Sequence, residues 1–112
     1  MDKPTPVERV EHILAAISSI REFMNGATLQ AFEEDVLLQS AVKYKFLIIG
    51  EAIRYVDQSI LDKYQYQWHI PRSFRNFIIH AYHGIKIDRI YLATQDLNGL
   101  EEVMTSIFQN EF

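Results

Sequence analysis

The chain has no cysteine, only three prolines and only four glycines. Without cysteine it has no disulfide framework, no thiolate nucleophile and no cysteine-based zinc site. The scarcity of proline and glycine disfavours a turn-rich β architecture and favours helices. We therefore expect an all-α fold that does not depend on an oxidising compartment.

Long apolar runs are also missing. The longest, FLIIGEAI, has eight residues and contains Glu51, whereas a membrane-spanning helix needs about 20 apolar residues. The first residues, MDKPTPVERVEH, lack the basic leader and apolar core of a signal peptide. We expect a cytoplasmic protein without membrane contact. At 112 residues, the chain is expected to form a single helical domain over residues 1–112.

Apolar residues recur at spacings of three and four along most of the chain, as in amphipathic helices. A capping box at Thr5-Pro6-Val7-Glu8 predicts the start of the first helix, and Asn25-Gly26 predicts its end. The second helix is predicted to begin near Thr28, or to restart after Asp35, and to run to about Val56. Its apolar residues cover a wider arc than that of a surface helix, which indicates either a central helix or one that contacts both its own core and a second subunit.

Further helices are predicted in the second half of the chain. They are a short helix at 59–64, a helix that Pro71 opens and that runs to about His83, and a last helix capped by Asp88 and interrupted near Asn98-Gly99. The expected architecture is an up-down bundle of four or five helices.

The segment RNFIIHAY, from Arg75 to Tyr82, places a guanidinium, an imidazole and a phenol on one predicted helix. Arginine binds phosphate in a fixed fork geometry, and histidine transfers protons near neutral pH. On a helical wheel Arg75 and His80 are about 140° apart, so one helix does not easily direct both at the same atom. Two copies facing each other across a two-fold axis would bring each histidine near the other copy's arginine.

Charge is distributed unevenly along the chain. The formal net charge is −4, yet residues 43–89 hold eight lysines and arginines and four acidic residues. These lysines and arginines flank the Arg75–Tyr82 segment in the sequence, as expected for a site that binds an anionic substrate. The alternative is that these charges simply cover solvated helix faces.

The spacing Arg75-x(4)-His80-x-Tyr82 resembles the Arg-x(4)-His-x-Tyr signature of HEPN-domain ribonucleases. More narrowly, the chain resembles the HepT toxins of HepT–MntA toxin–antitoxin pairs. The likeness extends to the segments VERVEHILAAI, AVKYKFLIIGEAIRYV and IDRIYLATQDL, and to Trp68. Two departures are Ala81, where the family usually has Gly after the motif histidine, and Asn98-Gly99, where it often has Pro.

The resemblance implies an all-α homodimer with facing motif helices and a metal-independent endoribonuclease site, without cofactor. In it His80 would act as general acid/base, Arg75 would hold the scissile phosphate, and Asn76 would orient His80 or the phosphate. An MntA-like nucleotidyltransferase antitoxin would transfer AMP to Tyr82 and so block the neighbouring arginine. Arg72 and His83 are further candidates for RNA contacts.

Other interpretations of the same residues stay open. Arg75 can be a structural ion-pair partner, with Glu51 as the expected acid, and the protein can be a non-catalytic HEPN module that binds nucleotide and partners a nucleotidyltransferase. His80 and His83 have the i, i+3 spacing of metal ligands, and His69 can lie nearby, but no carboxylate or cysteine accompanies them and we expect no metal site. Trp68, Tyr64 and Tyr66 can stack on bases or belong to the core.

Overall fold

The computed structural model describes residues 3–80 and 86–112, and along α5 it describes side chains as far as Ile79. Within these ranges the chain forms seven α-helices and no strand. They are α1 (Pro6–Met24), α2 (Leu29–Glu34), α3 (Val36–Arg54), α4 (Gln58–Leu61), α5 (His69–His80), α6 (Ile87–Gln95) and α7 (Asn98–Glu111). The all-α class is confirmed, but the expected count of four or five is too low, because α2 is separate from α3 and the last helix is divided into α6 and α7. No helix in the described ranges is long and apolar enough to cross a bilayer.

Local signals set the ends of α1 as the sequence predicts. The Thr5 hydroxyl accepts a hydrogen bond from the backbone N–H of Glu8 at 3.3 Å, and Pro6 occupies the first helical position. At the other end Asn25 and Gly26 have φ angles of 44° and 76°. This left-handed pair stops the helix, because a continuing helix requires negative φ.

The predicted second helix is divided at Asp35. The Asp35 carboxylate accepts a hydrogen bond from the backbone N–H of Leu38 at 3.0 Å and thereby caps α3. The buried side chain of Gln39 donates to the backbone carbonyls of Phe32 and Glu33 at the end of α2. Of the two predicted starts, the restart after Asp35 is therefore confirmed.

The last helix is interrupted where the sequence predicts. Helix α6 ends at Gln95 and α7 begins at Asn98. The predicted cap is wrong, however: Lys86 occupies the N-cap position of α6, and Asp88 lies inside the first turn. In the first turn the Asp88 carboxylate still interacts favourably with the positive end of the helix dipole. An aspartate near the start of a helix therefore fits both the N-cap position and the first turn.

Helix α3 is central, with α1 and α5 packed against it in the opposite direction. Arg9 near the start of α1 lies against Tyr55 at the end of α3, and Gly50 faces Arg75 of α5. Helix α7 packs along α1. The core at the middle of this up-down arrangement contains mainly β-branched and aromatic side chains: Val10, Ile13, Ile17, Ile20, Phe32, Val42, Ile49, Ile53, Ile90, Met104 and Ile107.

The wide apolar arc of α3 divides into two parts. Val42 and Ile49 are buried in the core, whereas Tyr44 and Tyr55 expose 61% and 50% of their surface and Ile48 is half-buried. The core therefore accounts for one part of the arc. Contact of the other part with a second subunit stays a prediction.

The end of α7 is tied to the connection that follows α4. Lys63 Nζ lies 2.9 Å from Glu111 Oε1, and the Tyr64 hydroxyl donates to Glu111 Oε2 at 2.8 Å. The hydrogen bonds from Lys63 and Tyr64 hold the pKa of Glu111 below its ordinary value. The hydrogen bond to Glu111 in turn raises the pKa of Lys63.

Trp68 belongs to the core. Its side chain is 8% exposed, its Nε1–H donates to the backbone carbonyl of Leu61 at 3.1 Å, and its ring lies 4.8 Å from that of Tyr66. A buried indole with its donor satisfied by the chain is typical of a structural tryptophan. The core interpretation of Trp68 is therefore confirmed over base stacking.

Candidate functional site

The site is built on α5, whose two faces differ as the helical wheel predicts. Ile78 is buried, and Phe74 packs edge-on against Phe46 of α3 with ring centroids 5.0 Å apart. Arg75 and Asn76 lie on the other face. Because the aromatic face fixes the rotation of α5 on α3, the polar face must point into the groove beside α3.

Gly50 allows α5 to approach α3 closely at Arg75. A Cβ atom placed on Gly50 would lie 2.5 Å from the Cβ of Arg75 and 3.1 Å from its Cγ and Cδ. Carbon atoms pack at about 3.5–4.0 Å, so no larger residue fits here without moving a helix. The aliphatic stem of Arg75 thus rests directly on the backbone of α3.

The Arg75 guanidinium is held by neighbours on both helices. Its Nη2 lies 3.0 Å from Oε2 of Glu51, and its Nη1 donates to Oδ1 of Asn76 at 3.2 Å. Among the described residues no donor meets the buried Glu51 Oε2 at a hydrogen-bonding angle, so the contact with Arg75 is an ion pair. The predicted acid partner of Arg75 is therefore confirmed, and Arg54 Nη1 approaches the same oxygen at 3.8 Å.

Two cavities of about 400 Å³ each open beside Arg75, which lines both. The arginine cavity is lined by Gly50, Arg54, Arg72, Arg75 and Asn76. The α1 cavity is lined by Arg9, His12, Leu47, Ile48, Glu51, Ala52, Arg75 and Ile79. The first is lined by three arginines, an asparagine and a glycine, whereas the second combines aliphatic side chains with charged and titratable ones.

Three of the lining residues were not predicted from the sequence. Arg54 lies four residues after Gly50 and hence on the same face of α3, a spacing that points to it once α3 and α5 are known to pack at Gly50. Arg9 and His12 come from α1, far away in sequence, and nothing in their spacing shows which cavity they line. The Arg9 guanidinium lies 4.3 Å from the centre of the Tyr55 ring.

The predicted site residues fall partly inside the described structure. Arg72, Arg75 and Asn76 come together around the arginine cavity, and Arg72 donates to the side-chain oxygen of Gln58 at 3.0 Å. Tyr82 and His83 lie outside the described residues.

The predicted general acid/base also lies at this limit. His80 is the last residue of α5, and its side chain is outside the described part. The structure thus brings Arg72, Arg75 and Asn76 together, and the roles predicted for them and for His80 stay predictions.

The described residues show no group of three or more histidines and acidic side chains that could hold a metal ion. The histidine set considered from the sequence includes His80 and His83, whose side chains lie outside that part. The donor groups around Arg75 are guanidinium, amide and a carboxylate already paired with arginine. This set suits an anion rather than a cation.

The sequence is similar to proteins whose names describe putative ribonucleases. It is 30% identical over 101 residues to a protein of Methanocaldococcus jannaschii named as a putative RNase, covering 85% of this chain and 84% of the other. A second protein with that name, from Caldanaerobacter subterraneus, is 28% identical over 109 residues, covering 96% and 97% of the two chains. No solved structure matches the chain significantly. The family model described as "Ribonuclease HepT-like" matches residues 13–107, and the chain belongs to this HepT-like ribonuclease family.

Proposed function

We propose that the protein is a metal-independent endoribonuclease whose site includes Arg75 and His80, and that it serves as the toxin of a toxin–antitoxin pair. The observation that carries the proposal is the placement of Arg75. Its guanidinium is fixed on α3 by Gly50 and Glu51 and borders two cavities large enough for parts of an RNA chain. A pre-positioned arginine stabilises the charge that develops on a phosphate during transfer.

The chemistry requires no bound cofactor. The ribose 2′-oxygen attacks the phosphorus as a base removes its proton, the bond from phosphorus to the 5′-oxygen breaks, and an acid protonates that leaving oxygen. The products are a 2′,3′-cyclic phosphate and a 5′-hydroxyl. Histidine serves as base or acid near neutral pH, and in this proposal His80 takes that role while Arg75 binds the non-bridging phosphate oxygens.

A homodimer would complete the site. Since Arg75 and His80 are about 140° apart around α5, each Arg75 would act together with His80 of the partner subunit. The outward apolar residues Tyr44, Ile48 and Ile79 support an interface on this side of α3 and α5. The mass in solution tests the dimer: a particle of two chains is expected, and a monomer at micromolar concentration would contradict the composite site.

Control by a nucleotidyltransferase antitoxin is the second element of the proposal. Transfer of AMP to Tyr82, seven residues after Arg75, would add a phosphate on the same side of the helix and block the arginine. Tyr82→Phe is expected to keep ribonuclease activity and to escape neutralisation by the antitoxin. If the antitoxin silences this variant as it does the wild type, control acts elsewhere.

The decisive experiment compares the wild type with His80→Ala and Arg75→Ala on total RNA in EDTA. The wild type should cut the RNA, and both variants should lose at least a hundredfold in rate. Products with 5′-hydroxyl ends would identify the mechanism. Absence of cleavage, or equal cleavage by all three proteins, would refute the ribonuclease proposal.

One observation favours a second function. Glu51 already compensates part of the charge of Arg75, as expected if the arginine is chiefly structural or docks a nucleotide. The protein would then be a non-catalytic HEPN module that binds nucleotide and partners a nucleotidyltransferase. Nucleotide binding without RNA cleavage in the same experiment would establish this alternative.

A further inference from the structure

The arginine cavity is more cationic than a single scissile phosphate requires. It is lined by three arginines, Arg54, Arg72 and Arg75, from two different helices. Among the described residues one carboxylate, that of Glu51, lies within 4 Å of any of them, paired with Arg75 at 3.0 Å and Arg54 at 3.8 Å. Three cations against one anion leave an excess of positive charge around a cavity of about 400 Å³.

The charges of Arg54 and Arg72 are only weakly compensated by their neighbours. Arg54 belongs to the last turn of α3, and more than half of its side chain is exposed. Arg72 is tied to Gln58, a neutral partner that leaves its charge uncompensated. Like charges brought close together repel each other, so a cluster of this kind lowers stability unless an anion binds to it.

The position of the cavity relates it to the proposed reaction. Arg72 precedes Arg75 by three residues, so their Cα atoms are about 4.5 Å apart along the axis of α5. Successive phosphates follow one another closely along a nucleic-acid strand, at about 3.4 Å per phosphate along the axis of one duplex strand. The long side chains of Arg54 and Arg72 can therefore reach the phosphate next to the one on Arg75, and the backbone of one strand would pass along the groove between α3 and α5.

We propose that Arg54 and Arg72 form a second phosphate subsite, which binds the RNA phosphate adjacent to the scissile one. This inference rests on the proposed ribonuclease function and adds the substrate class: a single-stranded segment with at least two consecutive phosphates. The subsite contacts a phosphate that does not react. It therefore contributes to substrate binding rather than to the chemical step.

Binding to an RNA that cannot be cut tests the subsite without requiring activity. The probe is a fluorescent ten-nucleotide 2′-O-methyl RNA, whose blocked 2′-oxygen cannot attack. Arg54→Gln and Arg72→Gln should each weaken binding about three- to tenfold and reduce the slope of log K against log salt by about 0.7, the value for one lost single-strand phosphate contact. Lys43→Gln is the matched control, since it removes one cation from α3 about 16 Å from Arg54.

Cleavage kinetics then separate the two proposals. With a substrate that the wild type cuts, Arg54→Gln should raise KM and leave kcat within about twofold, whereas Arg75→Ala should lower kcat. A neutral methylphosphonate next to the cut site should abolish the difference between the wild type and Arg54→Gln. Thermal unfolding shows whether each variant is folded.

Each outcome bears on one proposal. The subsite would be overturned if both arginine variants keep the binding and the salt slope of the wild type. It would also be overturned if Lys43→Gln loses as much binding as they do, or if the wild type does not bind the RNA. Wild-type binding that depends on Arg54 and Arg72, without any cleavage, would support the subsite and refute the ribonuclease.

Discussion

Replacement of Gly50 by alanine tests whether close contact between α3 and α5 positions Arg75. The new methyl carbon would lie 2.5 Å from the Cβ of Arg75, about 1 Å closer than carbon atoms pack. This Cβ is fixed to the backbone and cannot rotate away, so α5 has to move by about that distance. A displacement of 1 Å at a positioned group can cost about a hundredfold in rate.

The effect on stability combines two opposite terms. Alanine favours an α-helix over glycine by about 1 kcal/mol, whereas overpacking costs about 1–3 kcal/mol. Gly50→Ala should therefore lower the free energy of unfolding by about 0–2 kcal/mol, with a larger loss for Gly50→Val. Urea denaturation measures the change in the free energy of unfolding. RNA cleavage, or binding of the 2′-O-methyl RNA, measures the functional effect of displacing Arg75.

Gly99→Ala is the matched control, because the chain offers a second helical glycine with room beside it. The nearest atom to a Cβ at Gly99 is Cε2 of Tyr66, at an ordinary 3.8 Å. This variant should be as stable as the wild type or up to about 1 kcal/mol more stable, with unchanged activity. If Gly50→Ala behaves like Gly99→Ala in both assays, then close packing at Gly50 does not position Arg75.

Three further perturbations concern charge, the core and pH. Glu51→Gln should strengthen binding of the 2′-O-methyl RNA several-fold and steepen its salt dependence, because Arg75 is no longer compensated. Trp68→Phe should lower the free energy of unfolding by about 1–3 kcal/mol in urea, because one hydrogen bond to the Leu61 carbonyl and part of a buried ring are lost, and RNA binding should not change. Glu111→Gln should destabilise the protein at pH 7, but progressively less below the ordinary glutamate pKa of 4.5, where the wild type also loses the charge that accepts from Lys63.

The sign of the pH effect follows from the direction of each shift. The pKa of Glu111 is lowered on folding, so its contribution is present above the unfolded value and disappears as pH falls through the folded one. The pKa of Lys63 is raised, so its contribution is present below 10.5 and is lost as pH rises through the folded value. Constant destabilisation by Glu111→Gln from pH 7 to pH 3 would contradict this account. Weaker RNA binding by Glu51→Gln would contradict the prediction that Glu51 compensates the charge of Arg75. Weaker RNA binding by a folded Trp68→Phe would contradict the prediction that Trp68 acts only in the core.

The sequence by itself determined the all-α class, several helix ends and which residues lie on the polar face of α5. The Thr5 cap, the left-handed stop at Asn25 and the cap at Asp35 are interactions among residues three or four apart, which a linear reading can recognise. The rotation of α5 also follows from local pattern, since the aromatic residues occupy one side of the helix. Arg75 and Asn76 were therefore placed correctly on the polar face. The N-cap of α6 was not, because Asp88 suits both a cap and a first turn.

Only the tertiary structure decided what surrounds Arg75. The contact with Gly50 joins residues 25 positions apart, and Arg9 of α1 lines a cavity together with Arg75 although 66 positions separate them. Such neighbours depend on which helices pack together and on how far each is shifted along its axis relative to the other. Periodicity within one helix carries no information on either. The Glu51 ion pair was foreseen as one option because an acid in an apolar run needs a partner. The clustering of Arg54 with Arg72 required the packing of α3 on α5.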